Sequence, residues 1–245
     1  LLRNPLADPY VLGVSGGAAA FALGGMLLGL AAIPTELLAF AGALVSSIIV
    51  FVLGQGSGPW STARMLLTGV VVAAGWGALI SLMLALGDDQ SLRGMLFWLM
   101  GDLSYARISA WWLPGIAVIT LTMMLRARSL NILAAGETQA ALLGEDPRRR
   151  YTEIYVAAAA LTAVAVSIAG TIGFVGLIVP HLMRLIVGAD HRRLLPAAAL
   201  FGGAFLVLAD ALARNLFSPR QLPVGVLTAL IGVPLFLLLL NRTKK

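Results

Sequence analysis

Seven stretches of this sequence contain no aspartate, glutamate, lysine or arginine: 9–35, 37–63, 65–87, 108–125, 154–183, 194–209 and 221–241. A helix that crosses the hydrocarbon core of a bilayer needs about 20 mostly apolar residues, within a range of about 17–25. Most of the stretches reach that length alone, and 154–183 holds one span and part of another. Charged residues make up 11% of the chain, against about 25% in soluble domains. Folded as a globule in water, it would lack the polar groups to cover itself. A barrel would show alternating segments of about ten residues, whereas these runs are continuously apolar. The expected fold class is therefore all-α: a polytopic transmembrane helical bundle, forming a single transmembrane domain over 1–245.

Turn and charge signals divide the chain into eight spans, at about 11–30, 37–53, 64–86, 108–125, 154–172, 175–188, 195–213 and 223–240. Between the third and fourth lies a wetter segment, in which SLRGMLFWLMG reads as a short interfacial helix. Trp98, Tyr105, Trp111 and Trp112 suit an aromatic belt at a membrane–water boundary. Arg64, then Arg126, Arg128, Arg148, Arg149 and Arg150, then Arg192 and Arg193, then Arg242, Lys244 and Lys245 fall in one set of alternate loops. The other set holds only Arg93, Arg107, Arg214 and Arg220. Positive residues accumulate on the cytoplasmic side, so the first set, the C-terminus and the chain's start are expected there. The net charge of +6 then reports topology, and no nucleic-acid partner is expected. The chain has no initiator methionine and no visible signal peptide, so a preceding segment is expected.

The start, LLRNPLADPYVLGVSGGA, places Asn4-Pro5 and Asp8-Pro9 ahead of the first span. A residue before proline is pushed out of helical geometry, so these dipeptides hold an irregular turn. Such backbone survives near membrane depth only where protein buries it or a wet cavity receives it. A turn lining a path and a plain capped turn are both open on this ground. Gly13-x-x-x-Gly17 and Gly25-x-x-x-Gly29 read as small-residue pairs for close helix packing.

Enzyme chemistry finds no footing. The only lysines are Lys244 and Lys245, and no Gly-x-x-x-x-Gly-Lys-Ser/Thr occurs to grip nucleotide phosphates. There is no cysteine, no Gly-x-Ser-x-Gly, and only His181 and His191 as histidines, so a metal site of the usual zinc ligand count is not expected. A proton-coupled carrier keeps titratable groups at mid-membrane, and the centres of the charge-free windows offer none. In GLIVPHLMRLIVG, Pro180 frees a carbonyl that His181 is placed to satisfy. Energy for any transport would come from another chain.

Taken together, RNPLADPYVLGVSGGA, AAGETQAALLG, GFVGLIVPHLMRL with DHRRLLP, and LADALAR followed by LPVGVLTALIGVPLFLLLL resemble the FecCD family. These are permease subunits of ATP-binding-cassette importers for iron–siderophore chelates, haem and cobalamin. The resemblance runs from Leu1 to Arg242 and implies ten spans, of which this chain would hold the last eight, joined by short cytoplasmic coupling helices. It implies a bacterial inner-membrane location and alternating access through a path shared with a second permease subunit, in a homodimer. Two ATPase subunits would bind ATP and Mg²⁺, so that this chain has no cofactor of its own. A periplasmic or lipid-anchored binding protein would deliver the ligand.

By the same resemblance Gly136, Glu137, Ala140, Leu142, Leu143 and Gly144 form the ATPase-coupling segment. There Glu137 and Glu145 could pair with basic partner residues. Asn4, Leu6, Thr62 and Ala63 match the cytoplasmic gate. Arg214 matches a residue that docks the binding protein, held by Asp210 one turn earlier; Arg220 and Arg107 are weaker matches. The rival is a stand-alone carrier or channel driven by an ion gradient, which needs a titratable mid-membrane group and no ATPase.

Overall fold

The structure, a computed structural model, describes residues 10, 13–30, 32–55, 61–104, 106, 110, 112–216 and 221–242, with side chains to residue 239. Eleven helices are described: α1 (Val14–Leu27), α2 (Thr35–Gln55), α3 (Thr62–Leu86), α4 (Asp89–Met100), α5 (Trp112–Leu125), α6 (Ala127–Ala135), α7 (Glu137–Leu142), α8 (Pro147–Ala169), α9 (Val175–Val187), α10 (His191–Asn215) and α11 (Val224–Arg242). Helices α1, α2, α3, α5, α8, α9, α10 and α11 stand where the sequence places its eight spans. Four of them, α2, α3, α8 and α10, are long and apolar enough to cross a membrane alone. Helices α5 and α6 make a bent pair, and α1, α9 and the apolar part of α11 are shorter.

Local chemistry sets the helix ends. Asp146 accepts hydrogen bonds from the backbone N–H groups of Arg148 (3.0 Å) and Arg149 (3.3 Å), with Pro147 as the first helical residue of α8. A short polar acceptor followed by proline is a strong helix start. At the end of α1 the Leu30 N–H donates to Gly25 O (3.0 Å) and the Gly29 N–H to Met26 O (3.2 Å). This paired closure requires a left-handed residue, which Gly29 supplies at φ +63°. Gly29 is therefore a helix terminator, and apart from its chain neighbours no described residue crowds the place its Cβ would take.

Helix α1 is the centre of the first packing unit. Gly17 and Gly42 of α2 meet so closely that a Cβ on either would strike the other's carbonyl oxygen. The contact brings Ser46 to the start of α1, where its Oγ donates to Gly13 O (2.7 Å) and accepts from Trp76 Nε1 of α3 (2.9 Å). One hydroxyl thus ties three helices, in an interior where an unpaired polar group is costly. The Tyr155 hydroxyl of α8 donates to Ser47 O (2.8 Å), and its ring packs on Phe51.

Two ends emerge. At one, the C-terminal half of α2 lies beside the start of α8, and Asn131 of α6 bonds Asp190 and His191 at the α9–α10 junction. Arg126, Arg128, Arg148, Arg149, Arg150, Arg192 and Arg193 gather there. At the opposite end three irregular segments cross: the Gly225 N–H donates to Gly101 O (3.2 Å) and the Asp102 N–H to Ala169 O (3.0 Å). Gly101 and Gly170 have φ of +72° and +68°, and a Cβ on Gly170 would meet Trp98 O. Trp98 packs on the core and Trp112 meets Phe40 at a tilt, ring centroids 4.9 Å apart, so both assist helix packing; Tyr105 and Trp111 lie outside the described residues.

Much apolar surface stays uncovered. Leu67, Val70, Val71 and Leu82 on α3, and Leu113, Val118 and Leu121 on α5, are exposed. In water so large an apolar face would drive association; acyl chains and neighbouring helices can cover it without penalty.

Candidate coupling, gating and docking sites

At the arginine-rich end, α5 and α6 meet at Arg126 with a bend of 55°. Gly136 then turns the chain at φ 140°, ψ 154° into α7, and Gly144, at φ +80°, turns it out again. The Glu145 N–H donates to Ala140 O (2.9 Å) and the Gly144 N–H to Ala141 O (3.0 Å). This is the same left-handed closure seen at α1, so both glycines answer a backbone need. One face of α7 is seated: Ala140 is fully buried against Leu133 and Tyr151. The other is open, with Leu142 82% and Leu143 67% exposed. Exposed adjacent leucines on a short helix at a polar end form an apolar knob, not a core.

Internal contacts already occupy part of this segment. Ala140 offers no contact surface to another chain, because its side chain lies under α7. Glu145 is already engaged: Arg150 Nε donates to it at 2.7 Å and Ser129 Oγ bonds its other oxygen. The Ser129 hydroxyl, and then Arg150, hold its carboxyl below the ordinary carboxylate range. Glu137 accepts from the Tyr151 hydroxyl (3.0 Å), so it too is held from within.

Glu153, in the second turn of α8, collects three guanidinium groups. Arg150 Nη1 lies at 2.8 Å, Arg149 Nε at 3.3 Å, and Arg126 forms a third ion pair. Beside this cluster, Asn131 donates to Asp190 Oδ1 (2.7 Å) and accepts from the His191 N–H (2.9 Å). Asp190 also caps α10 by accepting from the Arg192 N–H (3.0 Å); that bond, then Asn131, lowers its carboxyl pKa.

The gate residues divide. Asn4 and Leu6 lie outside the described residues. Thr62 and Ala63 form the first turn of α3, and Ser61 caps it by accepting from the Arg64 N–H (3.4 Å); Ala63 is exposed. At the opposite end, Arg214 Nε bonds Asp210 Oδ2 at 2.7 Å across one turn of α10, the pairing the sequence implies. Arg220 and Arg107 are outside the described residues. A cleft of about 830 Å³ opens at this end, lined by Glu36, Arg93, Trp98, Asp102, Ser167 and Gln221 among others. His181 makes no hydrogen bond among the described residues, so the carbonyl that Pro180 frees inside α9 lacks the side-chain partner that the sequence offers.

The fold and its two chemically distinct ends define a polytopic helical integral membrane protein. The model of the FecCD transport family matches residues 1–242, and the chain belongs to that family. It is 45% identical, over 98% of its length, to the cobalamin import system permease protein BtuC of Halobacterium salinarum, and it spans 65% of that relative. It is 41% identical over its whole length to the hemin transport system permease protein HmuU of Yersinia pestis, spanning 75% of it. With the Fe(3+) dicitrate transport system permease protein FecD of Escherichia coli the identity is 39%, again over the whole chain and 77% of the relative. A solved structure described as an inward-facing conformation of a metal-chelate type ABC transporter superposes with a TM-score of 0.85 at 32% identity. The match covers 98% of this chain and 78% of that one.

Proposed function

We propose that this chain is the permease subunit of an ATP-driven importer that carries a bulky metal-centred ligand, an iron chelate, haem or cobalamin, inward by alternating access. Three relatives whose names specify cobalamin, hemin and ferric dicitrate support the ligand class. The observation that carries the mechanism is α7: a short helix with one face seated and Leu142 and Leu143 bare, at the end where arginines gather. That end faces the cytoplasm with the C-terminus, by the positive-inside rule, and α7 is the docking knob for an ATPase subunit.

The chain works as one transmembrane domain in the inner membrane, in a homodimer whose shared face forms the path. ATP and Mg²⁺ bind to two ATPase chains. Their closure pushes on α7 and switches the path between its outward and inward states. Thr62 and Ala63, with Asn4 and Leu6, form the cytoplasmic constriction. Arg214 presents its guanidinium, oriented by Asp210, to a carboxylate of the delivering binding protein, a geometry suited to bidentate capture.

Reconstitution tests this. Uptake of radiolabelled cyanocobalamin, haem or ferric dicitrate into proteoliposomes is expected only when ATPase, ATP and binding protein are all present. Uptake by the permease alone under a proton gradient would replace this reading with the ion-driven carrier.

A further inference from the structure

Helix α7 is joined to the rest of the chain through two glycines, Gly136 and Gly144, both at backbone angles that other residues rarely adopt. Left to those joints, a six-residue helix pushed by a partner would pivot, and the push would not reach a membrane span. Side chains remove that freedom: on α7 itself, Ala140 is buried against Leu133 of α6 and Tyr151 of α8, and Glu137 accepts from the Tyr151 hydroxyl (3.0 Å). Glu145, just past α7, is bonded to Ser129 of α6 and to Arg150 of α8. Arg150 bonds Glu153, and Glu153 bonds Arg126, the residue at the 55° bend between α5 and α6. The chain of contacts therefore starts beside α7, passes through α8 and ends at the foot of span α5. Glu153 is its node: three guanidiniums from two elements meet on one half-buried carboxylate. Exposed single ion pairs contribute little, but a partly buried network with shared partners fixes geometry.

We propose that Glu153 is a positioning residue that makes α7, the start of α8 and the α5–α6 bend move as one body, so that force on α7 is delivered to the spans. The inference rests on the reading of α7 as the ATPase-docking knob. Nothing in the cluster touches the transported ligand; Glu153 acts through Arg126 and Arg150. Loss of its charge leaves α7 seated by Ala140 and Tyr151 but frees that seated unit from Arg126, so that it shifts relative to α5.

The chain has no cysteine, so a single Ala63→Cys reports access at the candidate gate. The assay is the labelling rate of that cysteine by a water-soluble maleimide in the complete reconstituted complex, with and without ATP, normalised to ATP turned over. In the parent, ATP changes the rate. With Glu153→Gln the ATP-driven change per turnover is expected to fall by about fivefold or more, the lower range of measured site-to-site couplings. A response equal to the parent's overturns the proposal, as does a loss fully explained by failure of the ATPase to bind. Arg126→Gln cuts the same link from the bend. It is expected to reproduce the loss, with the double variant no worse than either single; additive losses overturn the link. If Glu153→Gln does not fold into the membrane, the Arg126→Gln comparison decides. If the parent, with its ATPase bound, shows no ATP response at position 63, the permease reading itself fails, a result distinct from a coupled parent with an equally coupled Glu153→Gln.

Discussion

Truncating the two bare leucines of α7 separates docking from folding. Leu142 and Leu143 are 82% and 67% exposed in the protein alone, so Leu142→Ala and Leu143→Ala remove little that the fold has buried. Surface changes of this kind stay within about 0.5 kcal/mol, and alanine is the better helix former, so α7 itself is not weakened. Against an ATPase the balance differs. Full burial of a leucine is worth about 1.5–3 kcal/mol, and most of each side chain is still available to be covered. Allowing for incomplete burial, each truncation costs about 1–2 kcal/mol of association, a roughly five- to thirtyfold rise in Kd. The double variant loses about 2–4 kcal/mol on the same scale. The assay titrates labelled ATPase onto the permease in nanodiscs, with thermal stability followed in parallel. Affinities within about twofold of the parent for both singles and the double would refute the assignment of α7 as the docking knob. A parallel fall in stability would refute the claim that these side chains lie outside the fold's own packing.

Gly17→Ala places a Cβ 2.5 Å from Ser46 Cβ and against the Gly42 carbonyl, about 1 Å short of ordinary contact. Parting α1 from α2 also strains the Ser46 bonds, so a loss of about 1–3 kcal/mol is expected. Gly77→Ala, with open space at its Cβ among the described residues, should be neutral or slightly stabilising; equal thermal stability of the two variants would contradict the packing. Glu145 has a carboxyl pKa held below its ordinary 4.5. Its contribution is therefore complete above about pH 4.5 and is lost as pH falls through the lower, folded value. Glu145→Gln should flatten that acid-side loss of thermal stability, and an unchanged profile would remove Glu145 from the cluster's energetics. Arg214→Glu sets two carboxylates one turn apart and should weaken capture of the binding protein by about tenfold, the loss of one charge-assisted bond; unchanged capture would take Arg214 out of the docking surface.

The spans were legible because charge is excluded from hydrocarbon over whole helices, a signal that local detail cannot erase. The Asp210–Arg214 pair was legible for a related reason: four residues on a helix bring side chains together. Contacts across long separations were not. Asn131 and Asp190 lie 59 residues apart, and nothing in either neighbourhood announces the other. The Glu145–Arg150 pair was not legible because Arg150, five residues on, is not a helical neighbour until the α7–α8 turn folds it back. Gly29 fitted a packing pattern by spacing, yet its place two residues beyond α1 made it a terminator. For Ala140, which face of so short a helix is buried depends on Leu133 and Tyr151, residues before and after it. Of the proposed gate residues, Asn4 and Leu6 lie outside the described residues, and Thr62 and Ala63 begin α3.

The central claim is that α7 faces the cytoplasm and is gripped there by an ATPase. A Leu142→Cys variant of this cysteine-free chain tests it directly, through labelling by a membrane-impermeant maleimide in intact spheroplasts and in inverted vesicles. The expected result is no labelling from outside, rapid labelling in inverted vesicles, and protection there when the ATPase is bound. Labelling in intact spheroplasts would contradict the claim.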